Sequence, residues 1–243
     1  MRRSVRPEPV EGRTRAVCAA IVAAGGIGKR LRSRIHKSFV PLGGRPMLAW
    51  VLDALEGTRE VDQIVLVGHR KDLPSAKRLI RRYRYRKVGA VVSGGESRME
   101  SVSCGLRMLP PSVKWVLVHD AARPLITPAL IRATLRAARR SQAAIAAVPV
   151  VPTIKQACDG WVVKTLDRKR LWAVQTPQVF ERKLLERAHE SGRRSNLEAT
   201  DDAALVERLG CRVRIVPGSE RNIKVTTQED LVVAEALMKN GDR

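Results

Sequence analysis

Aromatic residues and cysteines are scarce in this chain of 243 residues. Only eight residues are aromatic, so aliphatic side chains must fill the core. The four cysteines show no CxxC spacing, and they lie at Cys18, Cys104, Cys158 and Cys211. This spacing argues against a zinc site and a disulfide framework, and it fits a reducing cytoplasm. The four histidines are equally dispersed, so the sequence shows no metal-binding cluster of imidazoles.

Long apolar runs are also absent. A membrane-spanning helix needs about 18 apolar residues, and the longest run, near residues 17–27, is shorter and contains glycines. We therefore expect no transmembrane segment. Residues 1–15 lack both apolar periodicity and the apolar core of a secretory signal, which predicts a disordered leader. The length suits one large α/β domain or two small ones.

Positive charge, in contrast, is in excess. The chain has 46 Lys and Arg against 24 Asp and Glu, a formal net charge of +22. This excess raises nucleic acid as a partner, but no aromatic or groove-reading motif accompanies it. The alternative is an Arg-rich surface around a site for multiply charged phosphates. The densest cluster, residues 77–87, is typical of a solvated helix face.

Strand-like and helix-like segments alternate from residue 16 onward. Strands are predicted over residues 17–22, 63–67, 88–92, 115–119, 143–148 and 212–216. Helices are predicted over residues 46–55, 73–86, 97–109, 127–139, 183–190 and 201–209, and from 227, where Thr226 and Glu229 have capping-box spacing. The alternation indicates an α/β fold with a mostly parallel sheet flanked by helices. Residues 150–179 interrupt it with extended segments around a turn at Asp159-Gly160.

The loop after the first strand reads AGGIGKRL over residues 24–31. Its glycines let backbone amides approach phosphate oxygens, and Lys29, Arg30 and the later Lys37 add positive charge. It is neither a Walker A loop nor a dinucleotide fingerprint, since Arg30 and Leu31 replace residues that those motifs require. A tight turn would explain the glycines but not the cations. The loop therefore predicts phosphate binding.

Two further loops follow predicted strands, where α/β sheets bind ligands. Residues 94–98 read GGESR, which alone is a weak signal. Residues 118–124 read VHDAARP. A carboxylate at a strand end, here Asp120, commonly holds Mg²⁺ beside a nucleotide. Capping of the following turn explains Asp120 equally well.

Together these motifs resemble one enzyme family. AGGIGKRL, GGESRMESVSCGL, VHDAARP, TIK, LWAVQTPQVF, TDDA and NIKVT follow one another in order. The set resembles the 2-C-methyl-D-erythritol 4-phosphate cytidylyltransferase family of non-mevalonate isoprenoid biosynthesis, over roughly residues 16–237. The resemblance implies a Rossmann-like nucleotidyltransferase fold, with one domain over residues 16–239. It also implies transfer of CMP from CTP to methylerythritol phosphate, with Mg²⁺ bridging the triphosphate and pyrophosphate as the second product.

The resemblance also implies roles for individual residues. Arg30 and Lys37 would contact the triphosphate and stabilise the transition state, and Lys224 would hold phosphates near the reacting centre. Asp120 would lie beside the ribose and Mg²⁺, as a direct or an indirect ligand. The nucleotide-binding set would be Ala24, Gly25, Gly26, Gly28, Gly95, Glu96, Arg98, Ser101 and Asp120, of which Gly95, Glu96 and Ser101 would read the cytosine. The residues for the second substrate would be Asp120, Thr153, Arg168 and Lys224.

In this family residues 150–179 would form a β-arm that hooks over a second subunit. The resemblance thus implies a homodimer in which Thr153 and Arg168 complete the partner's substrate site. Two positions depart from the family pattern. Pro152 replaces the usual Asp before TIK, and His36-Lys37-Ser38 stands where PKQ is usual.

Three alternatives remain open from the sequence. A ribitol-5-phosphate cytidylyltransferase shares the fold and chemistry; Ala122 and Lys155 favour methylerythritol phosphate, whereas Pro152 weakens that preference. A basic nucleic-acid-binding protein would explain the charge, although we expect no specific nucleic-acid partner. A catalytically degenerate scaffold is disfavoured because Arg30, Lys37, Asp120 and Lys224 are all retained.

Overall fold

The computed structural model describes residues 17–25, 36–195 and 199–239. The strands in these ranges are β1 (Val17–Ala24), β2 (Pro41–Leu42), β3 (Arg45–Pro46), β4 (Gln63–Gly68), β5 (Val88–Ser93), β6 (Val113–Asp120), β7 (Ala143–Pro149), β8 (Lys155–Cys158), β9 (Trp161–Thr165), β10 (Trp172–Glu181) and β11 (Arg214–Pro217). Seven of them form a central sheet in the order β11-β7-β10-β6-β1-β4-β5. All neighbours in it are parallel except β10, which runs antiparallel to β6 and β7. The predicted α/β fold with a mostly parallel sheet is confirmed.

Helices cover both faces of this sheet. They are α1 (Met47–Glu56), α2 (Leu73–Tyr83), α3 (Arg98–Leu106), α4 (Pro128–Ser141), α5 (Arg182–Arg194), α6 (Asp202–Arg208) and α7 (Gln228–Lys239). The helices α1, α2 and α4 pack on one face, and α3, α5 and α6 pack on the other. Side chains of β1 alternate between these two cores, as Ala20 and Val22 face the first while Ala19 and Ile21 face the second. None of the helices in the described ranges is long and apolar enough to cross a membrane.

The core is aliphatic, as the shortage of aromatic residues predicts. Among the largest fully buried side chains of the described residues, only Phe180 is aromatic. The basic segment around α2 is mostly exposed, and α2 buries only Ala76 and Leu79. The segment is therefore a solvent-exposed helix face, as predicted. The helix ends at Tyr83, three residues before the predicted end, because Arg84 adopts a left-handed conformation with φ 57°.

The start of α7 differs by one residue from the predicted capping pair. Asp230 N donates to Thr227 Oγ1 at 3.2 Å, and the Asp230 carboxylate accepts from Thr227 N at 2.9 Å. The reciprocal pair is thus Thr227 and Asp230 rather than Thr226 and Glu229. Asp230 also accepts from the Thr226 hydroxyl at 2.7 Å, so Thr226, Thr227 and Asp230 together fix the start of this helix.

The segment predicted as an arm over residues 150–179 divides into two parts. Its first part contains the hairpin of β8 and β9, which turns at Asp159-Gly160 as predicted, with φ 49° and 82°. The prediction is wrong for the last part of the segment, because Gln178 and Val179 do not belong to an arm. They pair with both β6 and β7 inside the central sheet. A proline argues against a central strand, but Pro177 falls within a register shift of the β10–β7 ladder.

Candidate active site

The carboxyl ends of β1, β4, β5 and β6 surround a cavity of about 600 Å³. Nine residues with a predicted role line it: Ala24, Gly25, Lys37, Gly95, Glu96, Arg98, Ser101, Asp120 and Lys224. Gly26, Gly28 and Arg30 lie outside the described residues, as does the predicted leader. The strand-end loops therefore meet at one place, as the ends of parallel strands must. We call this space the first cavity.

The loop after β5 is fixed by the start of α3. Ser97 caps the helix, and the Glu100 carboxylate accepts from the backbone N–H groups of Glu96 at 2.7 Å and Ser97 at 3.2 Å. The N–H of Glu96 is thus hydrogen-bonded within the protein, and Glu96 lines the cavity. A side chain at Gly94 would collide with Ser101 and Val67. The glycine therefore lets the loop approach the Ser101 hydroxyl closely.

Asp120 lies at the centre of the site, at the end of β6. Its Oδ1 is 3.3 Å from Arg98 Nε, and its Oδ2 is 2.7 Å from Lys224 Nζ. Burial alone would raise the pKa of Asp120, but the charges of Arg98 and Lys224 outweigh it and hold that pKa well below its usual value. The carboxylate is therefore ionised at neutral pH. Lys224 is held nearby because Val225 N donates to Ala122 O at 2.8 Å.

A second carboxylate, Asp202, holds Arg98 from the other side. Arg98 Nη1 lies 2.7 Å from Asp202 Oδ2, and His189 Nε2 lies 2.9 Å from Asp202 Oδ1. Asp202 is 1% exposed. Its burial would raise its pKa, but the hydrogen bond from His189 and the charge of Arg98 lower that pKa below the ordinary value. Sequence analysis missed both Asp202 and His189, although TDDA contains the aspartate.

A buried hydrogen-bond chain orients Asp120 through its neighbour His119. Thr176 Oγ1 accepts from Asp120 N at 3.1 Å and lies 2.9 Å from His119 Nδ1. His119 Nε2 lies 3.2 Å from Arg123 O, which can only accept, so Nε2 carries the ring proton. The Thr176 hydroxyl then donates to Nδ1. Burial lowers the pKa of His119 to about 4, so the ring is neutral.

This neutral His119 makes the stability of the protein depend on pH. The pKa of His119 lies below the unfolded value of about 6.5, so the unfolded chain takes up the proton first. The contribution of the neutral His119 to the free energy of unfolding is fully present above about pH 6.5. We expect this contribution to fall by about 3 kcal/mol as the pH drops to about 4. Urea denaturation between pH 7.5 and 4.5 should show a steeper loss for the natural protein than for His119→Gln. Equal slopes would contradict a neutral buried ring.

A second cavity, of about 410 Å³, lies against the same charged residues. Arg98, Asp120 and Lys224 line both cavities. The second cavity is further lined by polar residues that sequence analysis missed as site residues, namely Arg123, Gln175, Thr176, Gln178, Thr200, Asp201 and Glu207. The guanidinium of Arg123 is oriented by Asn222 O at 2.8 Å and Val174 O at 3.2 Å. The signal was available, since Arg123 belongs to VHDAARP and Gln175 to QTPQVF.

Two predicted substrate residues lie elsewhere in the chain. Thr153 and Arg168 are exposed and line neither cavity. Arg168 Nη1 donates to Val151 O at 2.5 Å. Their hairpin also exposes apolar surface, with Trp161 80% and Val162 63% exposed. Within one chain, the structure does not bring these two residues to Asp120.

The parallel sheet, the strand-end cavity and the cations around Asp120 define an α/β enzyme of the nucleotidyltransferase class. The family model of 2-C-methyl-D-erythritol 4-phosphate cytidylyltransferase matches residues 17–240. The chain therefore belongs to that family. It is 46% identical over 223 residues to the 2-C-methyl-D-erythritol 4-phosphate cytidylyltransferase of Pelotomaculum thermopropionicum, an alignment that covers 91% of this chain and 94% of the relative.

Solved structures agree with this assignment. The 4-diphosphocytidyl-2C-methyl-D-erythritol synthase of Anaerococcus prevotii is similar with a TM-score of 0.81 and 32% identity, over 92% of this chain and 99% of that chain. The 2-C-methyl-D-erythritol 4-phosphate cytidylyltransferase of Thermus thermophilus gives a TM-score of 0.75 and 35% identity, over 91% and 98%. These comparisons favour neither the ribitol phosphate enzyme nor the nucleic-acid-binding protein.

Proposed function

We propose that this chain transfers CMP from CTP to 2-C-methyl-D-erythritol 4-phosphate and releases pyrophosphate. The observation that supports the proposal is that the two cavities have three charged lining residues in common. Arg98, Asp120 and Lys224 line both spaces, so two anionic ligands would meet at one charged centre. Such a reaction needs two phosphates held in line and charge stabilisation of the transferred phosphoryl group.

CTP would occupy the first cavity. Ser101, which is 7% exposed, would hydrogen-bond the cytosine through its hydroxyl, together with Gly95 and Glu96. The triphosphate would then lie towards Ala24, Gly25 and Lys37, where small residues allow the backbone to approach phosphate oxygens. Gly26, Gly28 and Arg30 would complete that loop by resemblance to the family.

The polyol phosphate would occupy the second cavity. Arg123 and Lys224 supply positive charge for its phosphate, while Thr200 and Gln178 offer polar groups for its hydroxyls. Arg123 Nε is buried and has no hydrogen-bond partner among the described residues. Because Arg123 is fixed by two backbone carbonyls, it would bind the phosphate with little loss of conformational entropy.

The chemistry needs no nucleophile from the protein. A phosphate oxygen of the polyol substrate attacks the α-phosphorus of CTP and forms a new P–O bond. The bond between the α-phosphorus and the bridging oxygen breaks, and pyrophosphate leaves with the electron pair. Lys37, Lys224 and Arg30 would stabilise the charge on the oxygens around the α-phosphorus. Asp120 would keep Lys224 in place through their 2.7 Å ion pair.

Magnesium would enter this site with CTP. Asp120 is the only carboxylate among the described residues that lines both cavities, and its two oxygens already pair with Arg98 and Lys224. This donor set fits an ion that takes most of its ligands from phosphate and water and at most one from the protein. Bound to the triphosphate, Mg²⁺ neutralises charge on the phosphate oxygens.

A reaction with CTP, Mg²⁺ and methylerythritol phosphate tests the proposal. Mass spectrometry should find a cytidine diphosphate ester of the polyol, with one pyrophosphate released for each ester formed. Pyrophosphate release without an acceptor, or no ester at all, would contradict it.

A cytoplasmic location remains a prediction.

We also propose that the chain is a homodimer in which the β8–β9 arm completes the partner's second cavity. The exposed Trp161 and Val162 suit burial against a second copy. Thr153 and Arg168, which line neither cavity of their own chain, would then contact the polyol phosphate across the interface.

Subunit mixing should reveal this composite site. Arg168→Ala and Lys37→Ala homodimers should each be nearly inactive. Equal mixing with subunit exchange should restore about a quarter of the natural activity, because half of the dimers are mixed and each has one intact site. A mixture of Lys37→Ala with Lys224→Ala is the matched control and should restore nothing, since both lysines act in their own chain. Equal results from the two mixtures would contradict the composite site.

A further inference from the structure

A cluster of possible metal ligands lies at the rim of the first cavity and is not used in the proposed reaction. His36 precedes the short helical turn Lys37–Phe39, His69 follows β4, and Asp72 ends the next turn. One ligand atom from each lies within 4.8 Å of the others. The imidazoles of His36 and His69 are stacked, with ring centroids 5.5 Å apart. The folded chain thus brings together two histidines that look dispersed in the sequence.

The contact between His36 and Asp72 has the spacing of two metal ligands. His36 Nδ1 lies 2.9 Å from Asp72 Oδ2, but the contact does not have hydrogen-bond geometry. Both atoms are buried and have no hydrogen-bond partner among the described residues, a costly arrangement for polar atoms. Two ligands that are each about 2.1 Å from a common ion lie about 3.0 Å apart at a right angle and about 3.4 Å apart at a tetrahedral angle, so the observed spacing needs a shift of at most about half an ångström. An ion between them would satisfy both atoms.

The ligand types indicate which ion would bind. Two imidazoles and one carboxylate suit Zn²⁺, Co²⁺ or Ni²⁺, whereas Mg²⁺ prefers oxygen ligands. The positive charges of nearby Arg70 and Lys37, which line the first cavity, further disfavour an ion such as Mg²⁺ that is bound mainly by electrostatic attraction. His69 Nδ1 accepts from Lys71 N at 3.3 Å, so Nε2 of His69 would be its ligand atom. The other two histidines, His119 and His189, are buried and form hydrogen bonds with residues outside the cluster.

We propose that His36, His69 and Asp72 form a site for one divalent transition-metal ion of the Zn²⁺ type. The site is separate from Asp120 and from the magnesium that would accompany CTP. Its occupation would tie the segment that carries Lys37 to the loop after β4. The rim of the nucleotide cavity would thereby be fixed by the ion.

Titration of the full-length, metal-free protein with Co²⁺ tests this site without reference to activity. Visible absorption bands should grow to saturation at one equivalent, and Zn²⁺ should abolish them while millimolar Mg²⁺ should not. His36→Ala and His69→Ala should each weaken Co²⁺ binding about tenfold or more. Circular dichroism would check that both variants remain folded.

Cys158→Ser provides the matched control. Cys158 is an exposed thiol on the distant hairpin and is an alternative ligand for soft ions. Unchanged Co²⁺ binding in Cys158→Ser, with loss in both histidine variants and in Asp72→Asn, is the expected result. Absence of one-equivalent binding, or binding that survives His36→Ala and His69→Ala, would overturn the proposal.

Discussion

Lys224→Ala is expected to lower turnover by about two to three orders of magnitude while the fold stays intact. The change removes a fixed positive charge next to the phosphates in the transition state, and one such group typically contributes a factor of about 10²–10³. Lys224 is half exposed, with 44% of its side chain accessible, and Arg98 still pairs with Asp120 after the change, so the fold should remain intact with a modest loss of stability. Steady-state pyrophosphate release and thermal unfolding measure these two effects separately.

Lys37→Ala should have an effect of similar size, because Lys37 lines the first cavity where the triphosphate would lie. Lys239→Ala is the matched control, since Lys239 is an exposed lysine on α7 and lies outside both cavities. Its turnover should equal that of the natural protein. Full activity in Lys37→Ala or Lys224→Ala would contradict the roles proposed for these lysines.

Asp202→Asn is expected to destabilise the fold by about 3–5 kcal/mol, because it removes the charge of a buried carboxylate that pairs with Arg98 and hydrogen-bonds His189. The distances are 2.7 Å to Arg98 and 2.9 Å to His189. Arg98 would also lose one of the two carboxylates that position it beside Asp120. Urea denaturation at pH 7 measures the free energy of unfolding directly.

Glu190→Gln serves as the control for Asp202→Asn. It removes a carboxylate from an exposed i,i+4 pair with Arg194 on α5, one residue from His189, and exposed pairs contribute less than about 1 kcal/mol. If Asp202→Asn were as mild as Glu190→Gln, the Arg98–Asp202–His189 chain would not be an important support of the site.

Local sequence pattern was sufficient to predict the six parallel strands of the central sheet, the helices and the loops that line the first cavity. The strand-end rule placed Gly95, Arg98 and Asp120 at one edge of the sheet, and the structure brings them together around one space. The helices predicted to begin at residues 97 and 127 are also found, and in the structure the side chains of Ser97 and Thr127 cap them. These features depend on short-range chemistry, which the sequence displays directly.

The features that sequence analysis missed depend on contacts between distant segments. Asp202 is 104 positions from Arg98, and no local pattern predicts their ion pair. The insertion of β10 between β6 and β7 was hidden because its polar residues Gln175 and Gln178 look exposed. They are buried because Ser219 and Asp201 satisfy their amides at 2.8 and 2.7 Å. The second cavity follows from that insertion.

In the proposed reaction, CTP and methylerythritol phosphate bind in the two cavities and CMP is transferred from the first to the second. This reaction is tested most directly by measuring kcat/KM for methylerythritol phosphate and ribitol 5-phosphate side by side, with CTP and Mg²⁺. We predict a clear preference for methylerythritol phosphate, which would also show that Pro152 is tolerated. A preference for ribitol 5-phosphate, or no pyrophosphate release with either substrate, would contradict the proposed function.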